Sequence, residues 1–265
     1  MTRRSVMGVV NVTPDSFMAA TRTADADSAV TRGRQLFDLG CGVVDVGGES
    51  TRPGASTVPL DEELARTIRV VSELSPWGEV SIDTRKEAVA RAAVAAGARI
   101  INDVSGSLAS VAGELGVGYV AMHAQGTPDT MQDNPRYEDV IGEVETFLVD
   151  LARDARRAGV ERLWIDPGIG FGKTTSHNVA LLARLDHFAH LASELDAGLL
   201  VGTSRKRFLG AFYDPPLGVD DRLEGSLASA AWAFAHGATM VRVHDVVETQ
   251  RVLGLFDLSV HEVSR

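Results

Sequence analysis

Short apolar runs that end at a polar residue recur along the chain: Asn11 follows Val6–Val10, and Asp166 follows Leu163–Ile165. A short apolar run bounded by turn residues is typical of a buried strand in a parallel sheet. Polar residues at the same end of many such strands would ring the carboxyl mouth of a barrel, where a small polar ligand would sit. The predicted strands are Val6–Val10, Val43–Val46, Val80–Ile82, Arg99–Ile101, Gly118–Met122, Leu163–Ile165, Gly198–Val201 and Met240–Arg242.

Helical periodicity fills the stretches between these strands. From Asp25 to Leu39, apolar residues recur at helical spacing, and Gly40 supplies a stop signal. The predicted helices are Asp25–Leu39, Asp61–Leu74, Arg85–Ala96, a short one near Ser110–Leu115, Asp139–Ala158, His177–Leu191, Leu223–His236 and Val246–Phe256.

Strands that alternate with helices through short connections imply a parallel sheet with right-handed crossovers. Eight such units in an unbroken chain favour closure, so we expect an α/β protein built as a single (β/α)8 TIM barrel. An open flavodoxin-like or Rossmann sheet is the alternative. Because no linker or low-complexity segment interrupts the chain, one domain over residues 1–265 is expected.

The predicted connections differ in length on the two faces of this barrel. Long ones follow the first, second, fifth, sixth and seventh strands, whereas the opposite face has short turns such as 40–42 and 97–98. Long loops in a compact domain usually carry function. The active face is therefore expected at the carboxyl ends of the strands.

The bulk composition limits the class of protein. The chain has 265 residues, close to the usual size of one such barrel, and a hydrophobic content of 45%. A net charge of −10 argues against a nucleic-acid or anionic-membrane surface, which would need a basic patch. The single cysteine, Cys41, allows no intramolecular disulfide and is interpreted as a small buried apolar residue. Without a signal peptide or a membrane-spanning run, a soluble cytoplasmic protein is expected.

Two loop motifs approach known catalytic signatures without matching them. Segment 168–174 (GIGFGKT) is one residue shorter than a phosphate-binding Walker loop, and its glycines would instead let the backbone approach a flat ligand. Segment 202–206 (GTSRK) is neither a hydrolase nucleophile elbow nor a serine–lysine acylase motif. Its place after a strand in an acidic protein favours anion binding over a solvated basic run.

The polar residues at the strand ends leave several chemistries open. Asp83 and Asp166 could form a general acid/base pair, ligate a metal, or accept hydrogen bonds from a ligand rich in N–H groups. The neighbouring Asn102 favours the last role. Arg242 and His244 lie on one side of an extended segment, where they suit a phosphate or diphosphate, or equally an ion pair with a nearby acid.

Taken together, the ordered motifs resemble the dihydropteroate synthase family from Met7 to about Val252. Each motif alone is modest, but the ordered set at these spacings is highly specific. The motifs are MGVVNVTPDSF (7–17), DVGGESTRPGA (45–55), SIDT (81–84), INDV (101–104), MHAQGTPDTMQ (122–132), DPGIGFGK (166–173), GTSRK (202–206) and RVHD (242–245).

This resemblance implies an enzyme that joins para-aminobenzoate to 6-hydroxymethyl-7,8-dihydropterin diphosphate, yielding 7,8-dihydropteroate and diphosphate in folate synthesis. It implies an SN1-like displacement with Mg²⁺ as cofactor and no nucleophilic side chain, a homodimer, and a sulfonamide target.

The resemblance also implies roles for individual residues. Lys206, Asp83, Asp166, Arg242 and His244 would form the catalytic set. The pterin ring would be held by Asp83, Asn102, Met122, Asp166, Phe171, Gly202 and Lys206, the diphosphate by Asn11, Arg242 and His244 with Mg²⁺ near Asn11, and the aminobenzoate by Phe17, Thr51, Arg52, Pro53, Ser204 and Arg205.

The first loop departs from the family pattern. Family members usually continue Asp-Ser-Phe with Ser-Asp-Gly-Gly, whereas segment 15–20 here is DSFMAA. A loop without those glycines and that acid would be less able to help close over a magnesium diphosphate. One alternative is therefore a pterin-binding paralogue that has lost synthase activity. Another is the pterin-binding part of a corrinoid methyltransferase, against which the Ser-Arg-Lys and Arg-x-His elements argue.

Overall fold

The computed structural model describes residues 5–12, 22–50, 57–126 and 130–256. Parallel strands pair in sequence order, and the last pairs with the first, so the sheet closes into a barrel. The predicted (β/α)8 TIM barrel is thereby confirmed, and the open-sheet alternative is wrong. The strands are β1 (Ser5–Asn11), β2 (Val43–Gly47), β3 (Glu79–Asp83), β4 (Ile100–Asp103), β5 (Gly118–Met122), β6 (Leu163–Asp166), β7 (Gly198–Val201) and β8 (Met240–Val243).

Helices surround this barrel and cover the outward faces of its strands. They are α1 (Arg22–Asp38), α2 (Leu60–Leu74), α3 (Glu87–Ala95), α4 (Ala109–Leu115), α5 (Val140–Arg157), α6 (Thr175–Ala183), α7 (Leu185–Glu194), α8 (Leu223–Ala235) and α9 (Val246–Leu253).

The longest helix, α5, shows how local sequence sets these boundaries. It begins after Asp139, whose carboxylate accepts a hydrogen bond from the Ile141 amide at 3.1 Å and so caps a free N–H group. It ends before Gly159, which adopts a left-handed φ of 90°. Its inward stripe is fully buried, and burial of its one leucine, Leu148, contributes about 1.5–3 kcal/mol. The stripe consists of Val144, Leu148, Ala152 and Ala155.

The interior of the barrel is closed below its carboxyl mouth by an apolar layer. Side chains alternate along a strand, so every second residue faces inward. The apolar inward residues make one buried cluster, which leaves a packed core rather than a pore. The cluster consists of Met7, Val43, Ile100, Val120, Trp164, Leu200 and Met240.

Two details differ from the sequence prediction. The predicted helix His177–Leu191 is two helices, α6 and α7, because the backbone of Arg184 (φ −119°, ψ 28°) leaves the helical region. Hydrophobic periodicity could not reveal this break, since buried Leu181 and Leu185 keep the four-residue spacing of a continuous helix across it. The predicted loop after β7 contains two 3-10 turns, Arg207–Gly210 and Val219–Asp221.

Other sequence expectations concern burial and membranes. Cys41 is buried, which raises the pKa of its thiol to about 12, as expected of a packing residue. Within the described part of the chain, every helix lacks the combination of length and apolar character needed to cross a bilayer.

A close approach between α4 and the end of α5 gives a test of this packing. A Cβ at Gly113 would lie 1.9 Å from the Ala158 carbonyl oxygen, so Gly113→Ala must push the two elements apart. Such overpacking costs roughly 1–3 kcal/mol, and we expect the thermal unfolding midpoint to fall by about 5 °C. Differential scanning calorimetry measures the shift. Gly254→Ala is the matched control because a Cβ there meets no heavy atom within 4 Å; an equal loss in both variants would contradict the packing described.

Candidate active site at the carboxyl mouth of the barrel

The strand ends bring several polar side chains into one layer. In the sheet register Asn11 pairs with Gly47, Gly47 with Asp83, and Asp83 with Asn102. Gly47 keeps this layer open, since a Cβ there would lie 3.7 Å from Asn11 Oδ1 and 3.5 Å from Asp83 Cβ. On the far side of the barrel, Asp166 is paired in register with Met122 at the ends of β6 and β5.

Arg242 reaches across the mouth from β8 and bridges two carboxylates. Its Nε donates to Asp45 Oδ2 at 2.7 Å, and its Nη2 donates to Asp83 Oδ2 at 2.8 Å. Burial opposes the charge of Arg242, but the two carboxylates outweigh it and raise the pKa of the guanidinium above its usual value. Asn102 Nδ2 donates to the same Asp45 oxygen at 3.1 Å. These contacts join the residues predicted to hold the pterin ring and those predicted to hold the diphosphate into one hydrogen-bonded network.

Asp45 is a residue of this network to which the sequence analysis assigned no role. It lies within the apolar run of β2 and is 0% exposed. The available signal was a single acid inside a buried strand, at an inward position two residues before Gly47. A buried carboxylate must be paired or hydrogen-bonded, so its place in the strand already implied a hydrogen-bond donor or a cation inside the barrel.

The two aspartates first identified from sequence both resist ionisation. Burial raises the pKa of Asp83 to about 7 against the opposing charge of Arg242, and Asp45 raises it further. Burial likewise raises the pKa of Asp166, although Lys206 acts in the opposite direction. Asp166 Oδ1 accepts a hydrogen bond from the Gly168 amide at 2.7 Å, which fixes the carboxylate to the loop that follows β6.

Lys206 lies opposite, on the loop after β7, and leans over the β6 loop. Its Nζ donates to the Ile169 carbonyl and lies 4.4 Å from the centre of the Phe171 ring. Burial lowers the pKa of Lys206 to about 8 despite the attraction of Asp166. Gly170, with a φ of 90°, makes room for this side chain, since a Cβ there would lie 2.7 Å from Lys206 Cδ.

A second buried lysine braces the same loop from behind. Lys173 Nζ donates to the carbonyls of Gly168 (3.0 Å) and Phe171 (3.1 Å) and lies 2.8 Å from His123 Nδ1. Burial lowers the pKa of Lys173 to about 7 and that of His123 to about 3. A neutral imidazole therefore accepts from the amine. This pair supports the β6 loop, and its two members are fifty residues apart in sequence.

The loops after β7 and β8 are tied to each other beside the mouth. Ser204 Oγ lies 3.1 Å from His244 Nδ1. Arg205 pairs with Asp245 through two of its three side-chain nitrogens, Nη2 and Nε, the latter at 3.0 Å, while its backbone adopts a left-handed φ of 60°. The Arg222 guanidinium donates to the Arg205 carbonyl at 3.1 Å and supports this turn. Asp245 thus pairs with Arg205. Arg242 instead pairs with Asp45 and Asp83.

A buried ion cluster lies at the base of the segment that follows β2. Glu49 accepts from the Val58 amide at 2.8 Å, from Arg85 Nε at 2.7 Å and from Lys86 Nζ at 2.5 Å. Lys86 also donates to Glu63. One carboxylate therefore joins both flanks of residues 51–56 to the end of β3.

The structure brings together most of the residues named from sequence. Asp83, Asn102, Asp166, Lys206 and Arg242 share one mouth with Asn11, Gly202, Met122 and Phe171, while Ser204 and His244 border it. Phe17, Thr51, Arg52 and Pro53 lie outside the described residues. Among the described residues, no cluster of three His, Cys, Asp or Glu side chains forms a preformed metal cage. The mouth has hydrogen-bond acceptors on one side, a lysine on the other and an arginine at its rim. It can therefore hold a flat ring rich in N–H donors, with an anionic group of that ligand at the arginine.

Comparison with known proteins agrees with this geometry. A family model described as "Pterin binding enzyme" matches residues 7–244. Dihydropteroate synthase of Escherichia coli (strain K12) is 42% identical over 264 residues, which span 96% of this chain and 91% of that protein.

Solved structures extend the likeness to three dimensions. Xanthomonas albilineans dihydropteroate synthase with 4-aminobenzoic acid has a TM-score of 0.87 at 42% identity, covering 96% of this chain and 92% of that one. The same organism's enzyme in complex with 7,8-dihydropteroate has a TM-score of 0.83 at 39% identity, covering 96% and 93%. The chain therefore belongs to the pterin-binding enzyme family, and within it to the dihydropteroate synthases.

Proposed function

We propose that the chain condenses 6-hydroxymethyl-7,8-dihydropterin diphosphate with para-aminobenzoate and releases 7,8-dihydropteroate and diphosphate, a step of folate synthesis. The observation that carries the proposal is the single mouth shared by Asp83, Asn102, Asp166, Lys206 and Arg242. The complexes of the Xanthomonas relative with an aminobenzoate and with the dihydropteroate product support the same substrates here.

The pterin ring binds by matching hydrogen-bond donors to acceptors. Asp83, Asn102 and Asp166 offer oxygen atoms to the ring's N–H groups, and Lys206 donates to its oxygen or nitrogen acceptors. Met122 and Phe171 supply apolar contact, and Gly202 leaves open the space between Arg242 and Lys206 that a Cβ would occupy. Buried polar groups left unpaired are costly, so a ring lacking these donors is rejected.

The diphosphate lies at the rim, where Asn11, Arg242 and His244 meet it. Arg242 remains charged at neutral pH and favours the growing negative charge of the leaving group. Mg²⁺ keeps several waters and is usually bound by few protein ligands together with substrate phosphates. The amide oxygen of Asn11, at the end of β1 beside Asp83, fits such a site without a carboxylate cage. Mg²⁺ bound there with the diphosphate would stabilise the departing anion.

The reaction proposed is an SN1-like displacement. The C–O bond to the diphosphate breaks, the dihydropterin delocalises the positive charge of its exocyclic methylene, and the aryl amine attacks and then loses a proton. Asp83 and Asp166 act on this charge through electrostatics and hydrogen bonds, and no side chain forms a covalent bond. Water must be excluded because it would capture the cation.

The aminobenzoate subsite is proposed beside the diphosphate, with Ser204 and Arg205 at its border. Arg205 is held by Asp245, so its guanidinium frames the subsite rather than moving freely into it. Phe17, Thr51, Arg52 and Pro53 are proposed to complete it. Sulfonamides, as mimics of an aminobenzoate, are proposed to compete there.

A pterin-binding paralogue without synthase activity is the competing function, favoured only by the altered segment 15–20. Titration calorimetry with 6-hydroxymethyl-7,8-dihydropterin, together with a diphosphate-release assay on the same sample, separates the two. Binding with turnover supports the synthase, and binding without turnover supports the paralogue.

The proposal also covers the domain organisation, the cellular location and the oligomeric state. We infer a single domain over residues 1–265, a cytoplasmic location and a homodimer. The outer face of α8 supports the dimer, because Ala228, Trp232 and Ala235 are exposed at helical spacing while Ala230 and Ala233 pack on the barrel.

Removing either charge of the Lys206–Asp166 pair tests the ring site. Loss of one partner leaves the other charge buried without compensation, so Lys206→Ala and Asp166→Ala should each lower kcat/KM by about a hundredfold or more. A coupled diphosphate-release assay measures the rate, and circular dichroism confirms the fold. Arg207→Ala is the matched control, since Arg207 is the exposed cation next along the chain. Near-normal turnover in both site variants would refute the assignment.

Titration of the same groups predicts the pH profile. Asp83, whose pKa burial raises to about 7, gains a proton as the pH falls and loses its negative charge. Lys206, whose pKa burial lowers to about 8, loses its charge as the pH rises. We expect kcat/KM for the pterin diphosphate to peak between these values and to fall on both sides. In Lys206→Arg the fall of kcat/KM on the alkaline side should shift to higher pH, because a guanidinium keeps its charge there. An alkaline side that does not shift would contradict the role of Lys206.

Removal of magnesium tests the anion end of the site alone. With excess EDTA, condensation should slow by about a hundredfold or more, since a metal contributes several kcal/mol to a developing anion. Calorimetric binding of 6-hydroxymethyl-7,8-dihydropterin, which lacks the diphosphate, should not change. Undiminished turnover in EDTA would contradict the proposed cofactor.

A further inference from the structure

We propose that Asp45 is a positioning residue that sets both halves of the site at once: it orients the Asn102 amide toward the pterin ring and holds the Arg242 guanidinium for the diphosphate. The inference rests on the proposed function. It is carried by a carboxylate that lies beneath the mouth and contacts one side chain assigned to the ring and one assigned to the anion.

The position of Asp45 excludes direct contact with substrate as its purpose. It is 0% exposed and lies on β2 between Val9 and Ser81 in the sheet register, one inward position below Gly47. The layer that would meet a ligand contains Asn11, Gly47 and Asp83, so Asp45 acts from behind it.

The contact with Asn102 determines which end of that amide faces the ring. A carboxylate only accepts hydrogen bonds, so the amide must turn its Nδ2 toward Asp45, at 3.1 Å. Its Oδ1 is therefore directed to the other side, toward the mouth. Asp45 thus makes Asn102 an acceptor for ring N–H groups, whereas a free amide could present either end.

The contact with Arg242 determines which part of the guanidinium remains for an anion. Nε binds Asp45 at 2.7 Å and Nη2 binds Asp83 at 2.8 Å, so the edge formed by these two nitrogens is occupied. The remaining Nη1 group is then directed away from both carboxylates. Fixing a planar fork in this way reduces the entropy lost when the diphosphate binds.

The two donors to Asp45 share one of its oxygens. Asn102 Nδ2 and Arg242 Nε both bind Oδ2, at 3.1 Å and 2.7 Å. Sharing one oxygen brings Asn102 and Arg242 close together, as a ligand that spans both requires.

The test measures ring binding and anion binding separately in Asp45→Asn. This substitution preserves the size of the side chain but removes its charge. It also allows the Asn102 amide to present either end to residue 45. Titration calorimetry with 6-hydroxymethyl-7,8-dihydropterin, and then with inorganic diphosphate and Mg²⁺, should show both affinities reduced at least about fivefold. KM for the pterin diphosphate should rise about tenfold, and KM for para-aminobenzoate should stay within about twofold.

Two controls frame this result. Ser81→Ala removes a buried hydroxyl that has no hydrogen-bond partner among the described residues and lies at the neighbouring inward position, and both affinities should remain as in the unmodified protein. Asn102→Ala should weaken pterin binding and leave diphosphate binding unchanged. If Asp45→Asn fails to fold, Asp45→Ser replaces it, since a serine is already accommodated at Ser81.

The outcomes are distinguishable. Loss of both affinities in Asp45→Asn, with Ser81→Ala unaffected, supports the inference. Loss of only one affinity, no loss, or failure of both Asp45 variants to fold overturns it. If the unmodified protein neither binds the pterin nor turns over, the proposed function itself fails.

Discussion

The burial of carboxylates inside the barrel is the constraint on which the site depends. Asp45, Asp83 and Asp166 lie where an isolated ionised carboxylate would be prohibitively costly. Each is compensated by a cation that comes from a different part of the chain, Arg242 for the first two and Lys206 for the third. The recognition surface is therefore the same set of charges that makes the burial of these carboxylates tolerable.

The barrel makes this arrangement possible by separating two tasks along each strand. On four strands an inward residue of the apolar layer is followed, two residues on, by a polar one: Val43 by Asp45, Ile100 by Asn102, Trp164 by Asp166 and Met240 by Arg242. A step of two residues along such a strand therefore leads from an apolar core position to a polar position of the site. The loops then contribute Lys206 and the aromatic contact of Phe171, and Lys173 and Glu49 brace them with buried ion and hydrogen-bond contacts.

The strands and the mouth could be predicted from sequence because both depend on local patterns. Apolar runs closed by Asn11, Asp83, Asn102 or Asp166 place strand ends within one or two residues of those observed. Asp45 escaped notice because its significance depends on Arg242, a residue almost two hundred positions away. The Lys173–His123 pair and the Arg205–Asp245 pair were missed for the same reason, since spacing along a chain does not report which charges meet in a barrel.

The glycine beside Lys206 has a consequence for how the protein could evolve. A larger residue at Gly170 would place its Cβ 2.7 Å from Lys206 Cδ and would also be strained at a φ of 90°. A substitution there would therefore have to move the lysine stem and re-form the turn together. This position tolerates fewer replacements than the exposed residues of the bordering loops, where a side chain can change without disturbing a buried charge.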